Sequence, residues 1–219
     1  MQVKIHKYFK DELALSDEDA HNLHINYYRT YGLALEGLVR NHKVDALEYN
    51  RKVDDSLDLK SVLSYNPELR QMLLRIKNSG QFDMLWLVTN AYKNHALRVV
   101  SFLGLGDLFD GLTFCDYSSS PIVCKPMKQF YFNCFRTIGI DGDSASQVSR
   151  LYFVDDSEIN CKAAHELGFG RVFHYVELGE EYEALKQKSD FSAYYGRGDN
   201  TDKTKIHIIR SILDLEKNI

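Results

Sequence analysis

The sequence predicts an α/β fold, in which a doubly wound parallel sheet follows an N-terminal helical cap. Three observations predict this class. The first third of the chain carries apolar residues at helical spacing, and from Asn66 onward helical and strand-like segments alternate. The run from Met84 to Val88 (MLWLV) is continuously apolar. Such a run is typical of a parallel strand that is covered on both faces.

The N-terminal segment is predicted to be helical. Ser16 precedes three acidic residues, as expected at a helix start, where carboxylates meet the positive end of the helix dipole. Apolar residues then recur at three- and four-residue steps and give one apolar face: Ala20, Leu23, Tyr27, Tyr31, Leu35 and Leu38. A second helix is predicted from about His42 to Leu57, and no strand is predicted before Asn66.

Beyond Asn66 the elements alternate. Asn66-Pro67-Glu68 is a favourable helix opening. Strands are predicted at Met84 to Val88, Gly111 to Cys115, Leu151 to Val154, Arg171 to Val176 and within the C-terminal IHIIRSILDLEK, which also holds a last helix. The helices between them are predicted from the first strand to about Leu103, from Pro126 to Ile138 and from Ser157 to Leu167. We therefore expect a cap at residues 1–65 and a core at residues 66–219, with a loop from Lys188 to Lys205.

Composition excludes several classes of function. The 27 basic and 31 acidic residues give a net charge of −4. The chain therefore lacks the excess of positive charge that is typical of proteins that bind nucleic acid or anionic lipid. No apolar run is long enough to span a bilayer. The cysteines lack the close pairs of zinc or redox motifs and are expected to be reduced: Cys115, Cys124, Cys134 and Cys161. We expect a soluble cytoplasmic protein, with the nucleus as a second location; the oligomeric state is left open.

Polar residues follow three of the predicted strands. Thr89-Asn90 follows the first, Cys124-Lys125-Pro126 comes after the second and its serine-rich loop, and Asp155-Asp156 follows the third. Ligands of parallel sheets bind at the carboxyl ends of the strands. A hydroxyl beside backbone N–H groups suits a phosphate oxygen, a lysine supplies positive charge, and paired carboxylates suit Mg²⁺.

Each of these pairs has an ordinary structural alternative. Thr89-Asn90 and Asp155-Asp156-Ser157 could be helix caps, and Lys125-Pro126 a solvated lysine before a helix-starting proline. The order and spacing of all three at successive strand ends favour a phosphate site.

The segments LWLVTNA, CKP and YFVDDSEIN resemble the second, third and fourth motifs of the haloacid dehalogenase superfamily of phosphatases. The segments YYRTYGLALEGLV, NAYKNHALR and LFDGLTFCDYS more closely resemble its fungal pyrimidine 5′-nucleotidases, a group that includes a lysophosphatidate phosphatase. The resemblance runs from about Met1 to Val176.

This resemblance implies roles for individual residues. Thr89 would donate to a phosphoryl oxygen, Asn90 would shape the pocket, and Lys125 would neutralise developing charge. Asp155 and Asp156 would hold Mg²⁺, directly or through water, with Asn160 in support. In the cap, Tyr28, Tyr31 and Gly32 are candidates for nucleotide contact, with cap core as the alternative for both tyrosines.

The superfamily's nucleophile motif, a strand ending in Asp-x-Asp, has no counterpart at the expected place. By resemblance it lies upstream of Met1 and forms a central strand between Met84–Val88 and Leu151–Val154. Asp141-Gly142-Asp143 has the spacing but follows a helix and is expected to be a variable loop. Without that strand, unpaired backbone groups would cost about 1–3 kcal/mol each, so we expect instability or aggregation of the chain alone.

The sequence therefore predicts a Mg²⁺-dependent phosphomonoester hydrolase for nucleoside 5′-monophosphates, pyrimidine ones first, in N-terminally truncated form. A real short protein without catalysis, or a strand supplied by another chain, would also account for the missing motif. The alternative functions are a non-catalytic phosphate- or nucleotide-binding protein and a phosphatase for other small esters, such as lysophosphatidate or sugar phosphates.

Overall fold

The computed structural model describes residues 1–196, 202 and 204–219. It has the mixed α/β fold with parallel strands that the sequence predicts. The helices are, in chain order, α1 (Gln2–Leu13), α2 (Asp17–Tyr31), α3 (Ala34–His42), α4 (Ala46–Lys52), α5 (Leu59–Val62), α6 (Pro67–Asn78), α7 (Lys93–Phe102), α8 (Lys128–Thr137), α9 (Ala145–Val148), α10 (Glu158–Glu166), α11 (Gly179–Lys186), α12 (Phe191–Tyr194) and α13 (Leu215–Asn218).

The five described strands form two parallel sheets. They are β1 (Trp86–Thr89), β2 (Gly111–Phe114), β3 (Tyr152–Asp155), β4 (Arg171–Tyr175) and β5 (His207–Ile209). One sheet has the order β1-β2 and the other β3-β4-β5. Each predicted strand is confirmed to within one or two residues. Among the described residues β1 pairs with β2 alone and β3 with β4 alone, and the strand expected to be missing beside them stays a prediction.

The first strand differs from its prediction in two ways. It begins at Trp86 rather than Met84, because the N–H of Leu85 donates to the carboxylate of Asp110 at 2.8 Å. All four residues of β1 are also half-buried. The expectation of a strand covered on both faces is therefore wrong for β1, which lies in a sheet of only two described strands.

The N-terminal segment is helical, with two corrections. The apolar face predicted across residues 20–38 is divided between α2 and α3, because Gly32 adopts φ +80° and its N–H closes α2 on the carbonyl of Tyr28 at 2.8 Å. The helix predicted from His42 to Leu57 is shorter. Lys43, at φ 55°, ends α3, and Asp45 caps α4 by accepting from the N–H of Glu48 at 2.8 Å.

The C-terminal region holds the predicted strand and last helix, β5 and α13, joined through a turn of 3-10 helix at Ile212–Asp214. The segment from Lys188 to Lys205, expected to be a loop, contains the short helix α12. Residues 197–201 and 203 of that segment lie outside the described residues.

The described residues form two compact units. The first comprises Met1–Arg70 and Phe82–Phe130, and the second comprises Gln71–Gln81 and Tyr131–Ile219. The first unit therefore contains the whole segment predicted as a cap together with β1 and β2. The division predicted at residue 65 stays a prediction.

Each unit has its own apolar core. In the first, the N-terminal helices share one cluster with residues that flank β2, including Phe9, Leu35, Cys115, Cys124 and Phe130. In the second, the ring of Phe169 lies 5.5–5.9 Å, between centroids, from each of three other aromatic rings: Tyr131, Phe135 and Phe153. All four cysteines are buried free thiols, and no helix of the described residues is long and apolar enough to cross a bilayer.

Asp54 is a buried acid in the first unit, only 3% exposed. Burial, and to a lesser extent the neighbouring Asp55, raises the pKa of Asp54 from 3.8 to about 6. A carboxyl whose pKa is raised on folding favours the folded state less as it ionises. This penalty is absent below the unfolded pKa and complete above about pH 6.

We predict that Asp54→Asn stabilises the protein in a pH-dependent manner. The variant's gain in unfolding free energy should grow as the pH rises from about 4 to about 7, by about 3 kcal/mol, because a shift of about two pKa units is worth roughly that amount. Urea unfolding of both proteins at each pH measures it. Asp58→Asn, which removes an exposed carboxylate from the same segment, is the control. A constant difference between wild type and Asp54→Asn would contradict the prediction.

Candidate functional site

The carboxyl end of β1 is shaped by a short turn. Thr89 is the last residue of the strand, and its hydroxyl oxygen accepts from the N–H of Ala91 at 3.0 Å. This bond turns the chain toward α7 and leaves the hydroxyl proton of Thr89 to donate elsewhere. The structure thus places a hydroxyl donor at the strand end, where the sequence predicts it.

Asn90 joins three segments of the first unit through its side chain. Its Oδ1 accepts from the N–H of Lys125 at 2.7 Å, and its Nδ2 donates to the carbonyl of Lys125 at 2.9 Å and to that of Gly32 at 3.3 Å. The two bonds to Lys125 fix both peptide groups of that residue. Asn90 therefore sets the position of Lys125 relative to the end of β1.

Lys125 is 6% exposed, and its Nζ donates to the carbonyl of Val88 at 3.0 Å. Val88 precedes Thr89 in β1, so the ammonium lies against the strand end that carries the threonine. A buried positive charge acts more strongly on an anion than a solvated one, because less water screens it. The site residues Thr89, Asn90 and Lys125 are thus brought together.

The three cap candidates have different environments. Gly32 lies directly on the site loop, because a Cβ built on it would be 2.1 Å from Cδ of Pro126 and 2.3 Å from the carbonyl oxygen of Lys125. Tyr31 is half-buried, and its hydroxyl accepts from Nδ2 of Asn41 at 3.4 Å. Tyr28 is 39% exposed and is not a core residue. Of the three, Gly32 is the one in close contact with Lys125.

Asp155 and Asp156 belong to the second unit, at the carboxyl end of β3. Asp155 is buried, and its Oδ1 accepts from the N–H of Ser157 at 2.9 Å and from Nδ2 of Asn160 at 3.0 Å. Asp156 is exposed. Asn160 thus supports Asp155 directly.

This donor set fits Mg²⁺. Its groups are all oxygens: two carboxylates and Oδ1 of Asn160, which is buried without a hydrogen-bond partner. Mg²⁺ takes oxygen ligands and usually keeps several waters, so few protein ligands suffice. Nowhere in residues 1–196, 202 and 204–219 do three His, Cys, Asp or Glu side chains form a metal-binding group. The assignment of Asp155 and Asp156 as Mg²⁺ ligands, directly or through water, stays a prediction.

His174 braces the loop that follows β3. Its Nε2 lies 3.2 Å from the carbonyl of Asp156, and its Nδ1 lies 3.0 Å from the hydroxyl of Tyr195. Burial lowers the pKa of His174, which favours the neutral ring with one donor and one acceptor nitrogen. Tyr195 then donates to Nδ1 while the Nε2–H donates to the carbonyl of Asp156, so each donor in this series of hydrogen bonds has an acceptor.

The segment with Asp-x-Asp spacing is a turn. The N–H of Asp143 donates to Oδ1 of Asp141 at 3.0 Å, and the segment lies between α8 and α9 rather than at the end of a strand. The carboxylate of Asp141 therefore stabilises this turn.

Two residues beside the site are not predicted from the sequence. Tyr117 donates to the carbonyl of Asn90 at 3.1 Å, and His174 contacts Asp156. Tyr117 stands three residues after β2, so the rule that singled out Thr89 and Asp155 could have found it. His174 is paired in register with Asp155, which no sequence pattern shows.

Two comparisons with known proteins show the family of this chain. The profile described as haloacid dehalogenase-like hydrolase matches residues 4–168. Phosphate metabolism protein 8 of Saccharomyces cerevisiae is 37% identical over 221 residues, which is 98% of this chain and 64% of that protein. The chain thus spans less than two thirds of the length of this curated relative.

Two solved dehalogenases share the fold. A dehalogenase crystallised as an intermediate complex aligns with a TM-score of 0.51 and 14% identity, covering 96% of this chain and 89% of its own. The L-2-haloacid dehalogenase of Xanthobacter autotrophicus with covalently bound chloropropionic acid aligns with a TM-score of 0.51 and 16% identity, covering 90% of this chain and 91% of its own.

We predict that Gly32→Ala destabilises the protein more than Gly80→Ala. Both glycines have positive φ, 80° and 73°, but a Cβ at Gly80 meets nothing within 4 Å. Each substitution should cost about 1–2 kcal/mol for the left-handed backbone. Gly32→Ala should cost about 1–3 kcal/mol more, because it forces the Lys125–Pro126 loop to move. Urea unfolding at one pH measures both, and equal losses would contradict the contact with the site loop.

Proposed function

We propose that this chain, which belongs to the haloacid dehalogenase-like hydrolase family, holds the phosphate-binding and metal-binding parts of a Mg²⁺-dependent phosphomonoester hydrolase. Its proposed substrates are nucleoside 5′-monophosphates, pyrimidine nucleotides first. The observation that carries the proposal is that Asn90 holds the main chain of Lys125 while the buried ammonium of Lys125 donates to the carbonyl of Val88, the residue before Thr89 in β1.

The proposed phosphate pocket uses a hydroxyl and a fixed charge. Thr89 can donate its hydroxyl proton to a phosphoryl oxygen, since its lone pair already accepts from Ala91. Lys125 neutralises charge that develops on the phosphoryl group. Because Asn90 holds Lys125 before any ligand arrives, little reorganisation is required on binding. The pocket is thus preorganised for an oxyanion.

Asp155, Asp156 and Asn160 are the proposed metal-binding residues. When bound, Mg²⁺ supplies Lewis-acid polarisation of a phosphoryl oxygen. The chain's own contribution is to fix the carboxylate of Asp155 through Ser157 and Asn160 and to brace the following peptide through His174. We propose these groups as supporting machinery rather than as nucleophiles.

Asp141 and Asp143 lie in a turn rather than at the end of a strand, so we do not propose either as the attacking aspartate that the family resemblance implies. We therefore propose hydrolysis for a protein that supplies this aspartate, and phosphate binding for the 219 residues alone.

The preference for pyrimidine nucleotides rests on sequence resemblance, and the name of the yeast relative is compatible with phosphate-ester chemistry in general. Gly32 packs against the loop at Lys125 and Pro126, and Tyr31 is the residue before Gly32. We propose that this segment brings the cap into contact with the leaving group of the ester.

We predict that Lys125→Met weakens binding of inorganic phosphate. Methionine keeps much of the volume of the buried stem but removes the charge, so the affinity should fall at least about tenfold, or about 1.4 kcal/mol. Isothermal titration calorimetry with phosphate measures the change. The control is Lys128→Met, which removes an exposed lysine three residues away. Similar phosphate affinities for the two variants would contradict the assignment of Lys125.

We predict that uridine and cytidine 5′-monophosphates compete for the pocket more strongly than other esters. Displacement of phosphate by these two, by adenosine 5′-monophosphate, by glucose 6-phosphate and by lysophosphatidate gives the ranking. The pyrimidine nucleotides should bind about tenfold more tightly, since that requires only about 1.4 kcal/mol of additional contact. Equal affinities across the panel would reject the pyrimidine assignment while leaving the phosphate pocket in place.

A further inference from the structure

The carboxylate of Asp155 is the last member of a series of hydrogen bonds that begins at Tyr195. The hydroxyl of Tyr195 lies 3.0 Å from Nδ1 of His174, and Nε2 of His174 lies 3.2 Å from the carbonyl oxygen of Asp156. That carbonyl belongs to the Asp156–Ser157 peptide group, whose N–H donates to Oδ1 of Asp155 at 2.9 Å. All of these residues except Asp156 are buried. One peptide group is therefore held at both ends, by the imidazole and by the carboxylate.

The carbonyl of Asp156 fixes the direction of the bonds on both sides of the imidazole. A carbonyl oxygen can only accept, so Nε2 of His174 must carry a proton. Burial lowers the pKa of His174 and favours the neutral ring, in which protonated Nε2 leaves Nδ1 as an acceptor. The hydroxyl of Tyr195 is a donor to that nitrogen. With the proton on Nδ1 instead, Nε2 and the carbonyl would be two acceptors facing each other.

The segment that carries Tyr195 is fixed to the second unit by contacts of several kinds. Tyr195 pairs with Ile206 in an isolated parallel bridge just before β5, and its ring stacks on that of Phe191 with centroids 5.0 Å apart. Earlier in the same segment, Oδ2 of Asp190 accepts from Nζ of Lys162 in α10 at 2.5 Å. Because α10 starts directly after the proposed metal-binding pair, the tyrosine is anchored to the part of the fold that carries those carboxylates.

We propose that Tyr195 and His174 are positioning residues for the proposed metal site: Tyr195 selects the tautomer of His174 that donates to the Asp156–Ser157 peptide, and this bond aligns the Asp155 carboxylate for a divalent cation. The inference rests on the proposed function and gives the C-terminal part of the chain a role in it. Both ring nitrogens of His174 are already engaged, so the ring acts through the peptide rather than on the ion. Loss of such an orienting group usually weakens metal binding about 10- to 100-fold.

NMR of the chain without added metal tests the series of bonds. The two nitrogens of a neutral imidazole differ clearly in ¹⁵N shift, and we expect His174 in the wild type to be protonated at Nε2. Tyr195→Phe keeps the stacked ring but lacks the hydroxyl, so this tautomer should lose its preference. Hydrogen exchange of the Ser157 amide should then become roughly fivefold faster relative to the amides of β3, as expected for the loss of one hydrogen bond. Tyr194→Phe is the matched control and should change neither quantity, because the hydroxyl of Tyr194 donates to Glu166 instead.

Titration with Mg²⁺, followed through the amide shifts of Asp156 and Ser157, tests the effect on the site. The affinity should fall about tenfold in His174→Leu and much less in His174→Gln, whose side-chain amide can still donate to the peptide. A wild-type ring protonated at Nδ1 would overturn the inference, as would wild-type Ser157 exchange or wild-type Mg²⁺ affinity in His174→Leu. The expected tautomer and exchange without Mg²⁺ binding by the wild type would leave the Tyr195–His174 series in place and refute the proposed function.

Discussion

The side-chain amide of Asn90 donates to the carbonyls of Lys125 and Gly32 and accepts from the N–H of Lys125, so that three segments remote in sequence meet at one side chain. Each of these peptide groups would otherwise need another partner in a crowded region, and an unsatisfied buried group costs about 1–3 kcal/mol. The close approach of Gly32 to Pro126 is possible only because the glycine has no Cβ. The position of Lys125 relative to the end of β1 depends on this set of bonds.

Burial of the Lys125 ammonium has a cost in stability and an effect on the strength of its charge. An ammonium removed from water loses solvation, and the carbonyl of Val88 compensates part of that loss. In return, the charge of Lys125 is held in one place with little water around it, so that a nearby anion would feel it strongly. The second unit follows a parallel design, in which Ser157 and Asn160 fix the carboxylate of Asp155. In both units, local polar bonds fix the position of a charged group.

The sequence predicts the strand-end residues well, because the change from an apolar run to polar residues marks where a strand leaves the core. Thr89, Lys125 and Asp155 are each found at or beside the carboxyl end of a strand. Apolar spacing does not predict the break at Gly32, because the spacing continues through it and the left-handed turn is a property of the backbone. The hydrogen bonds between Asn90 and Lys125 join residues 35 positions apart. No local sequence pattern encodes such a pairing, which depends on how the segment after β2 packs against the end of β1.

We propose that an oxyanion binds at the loop held by Asn90. Titration of sulfate into the ¹⁵N-labelled chain, followed through the backbone amide shifts, locates the bound anion, because the N–H groups nearest to it respond most. We expect saturating shifts that are largest at Asn90, Ala91 and Lys125 and smaller elsewhere in the described chain. Saturating shifts centred on another region, with these three amides unmoved, would contradict it.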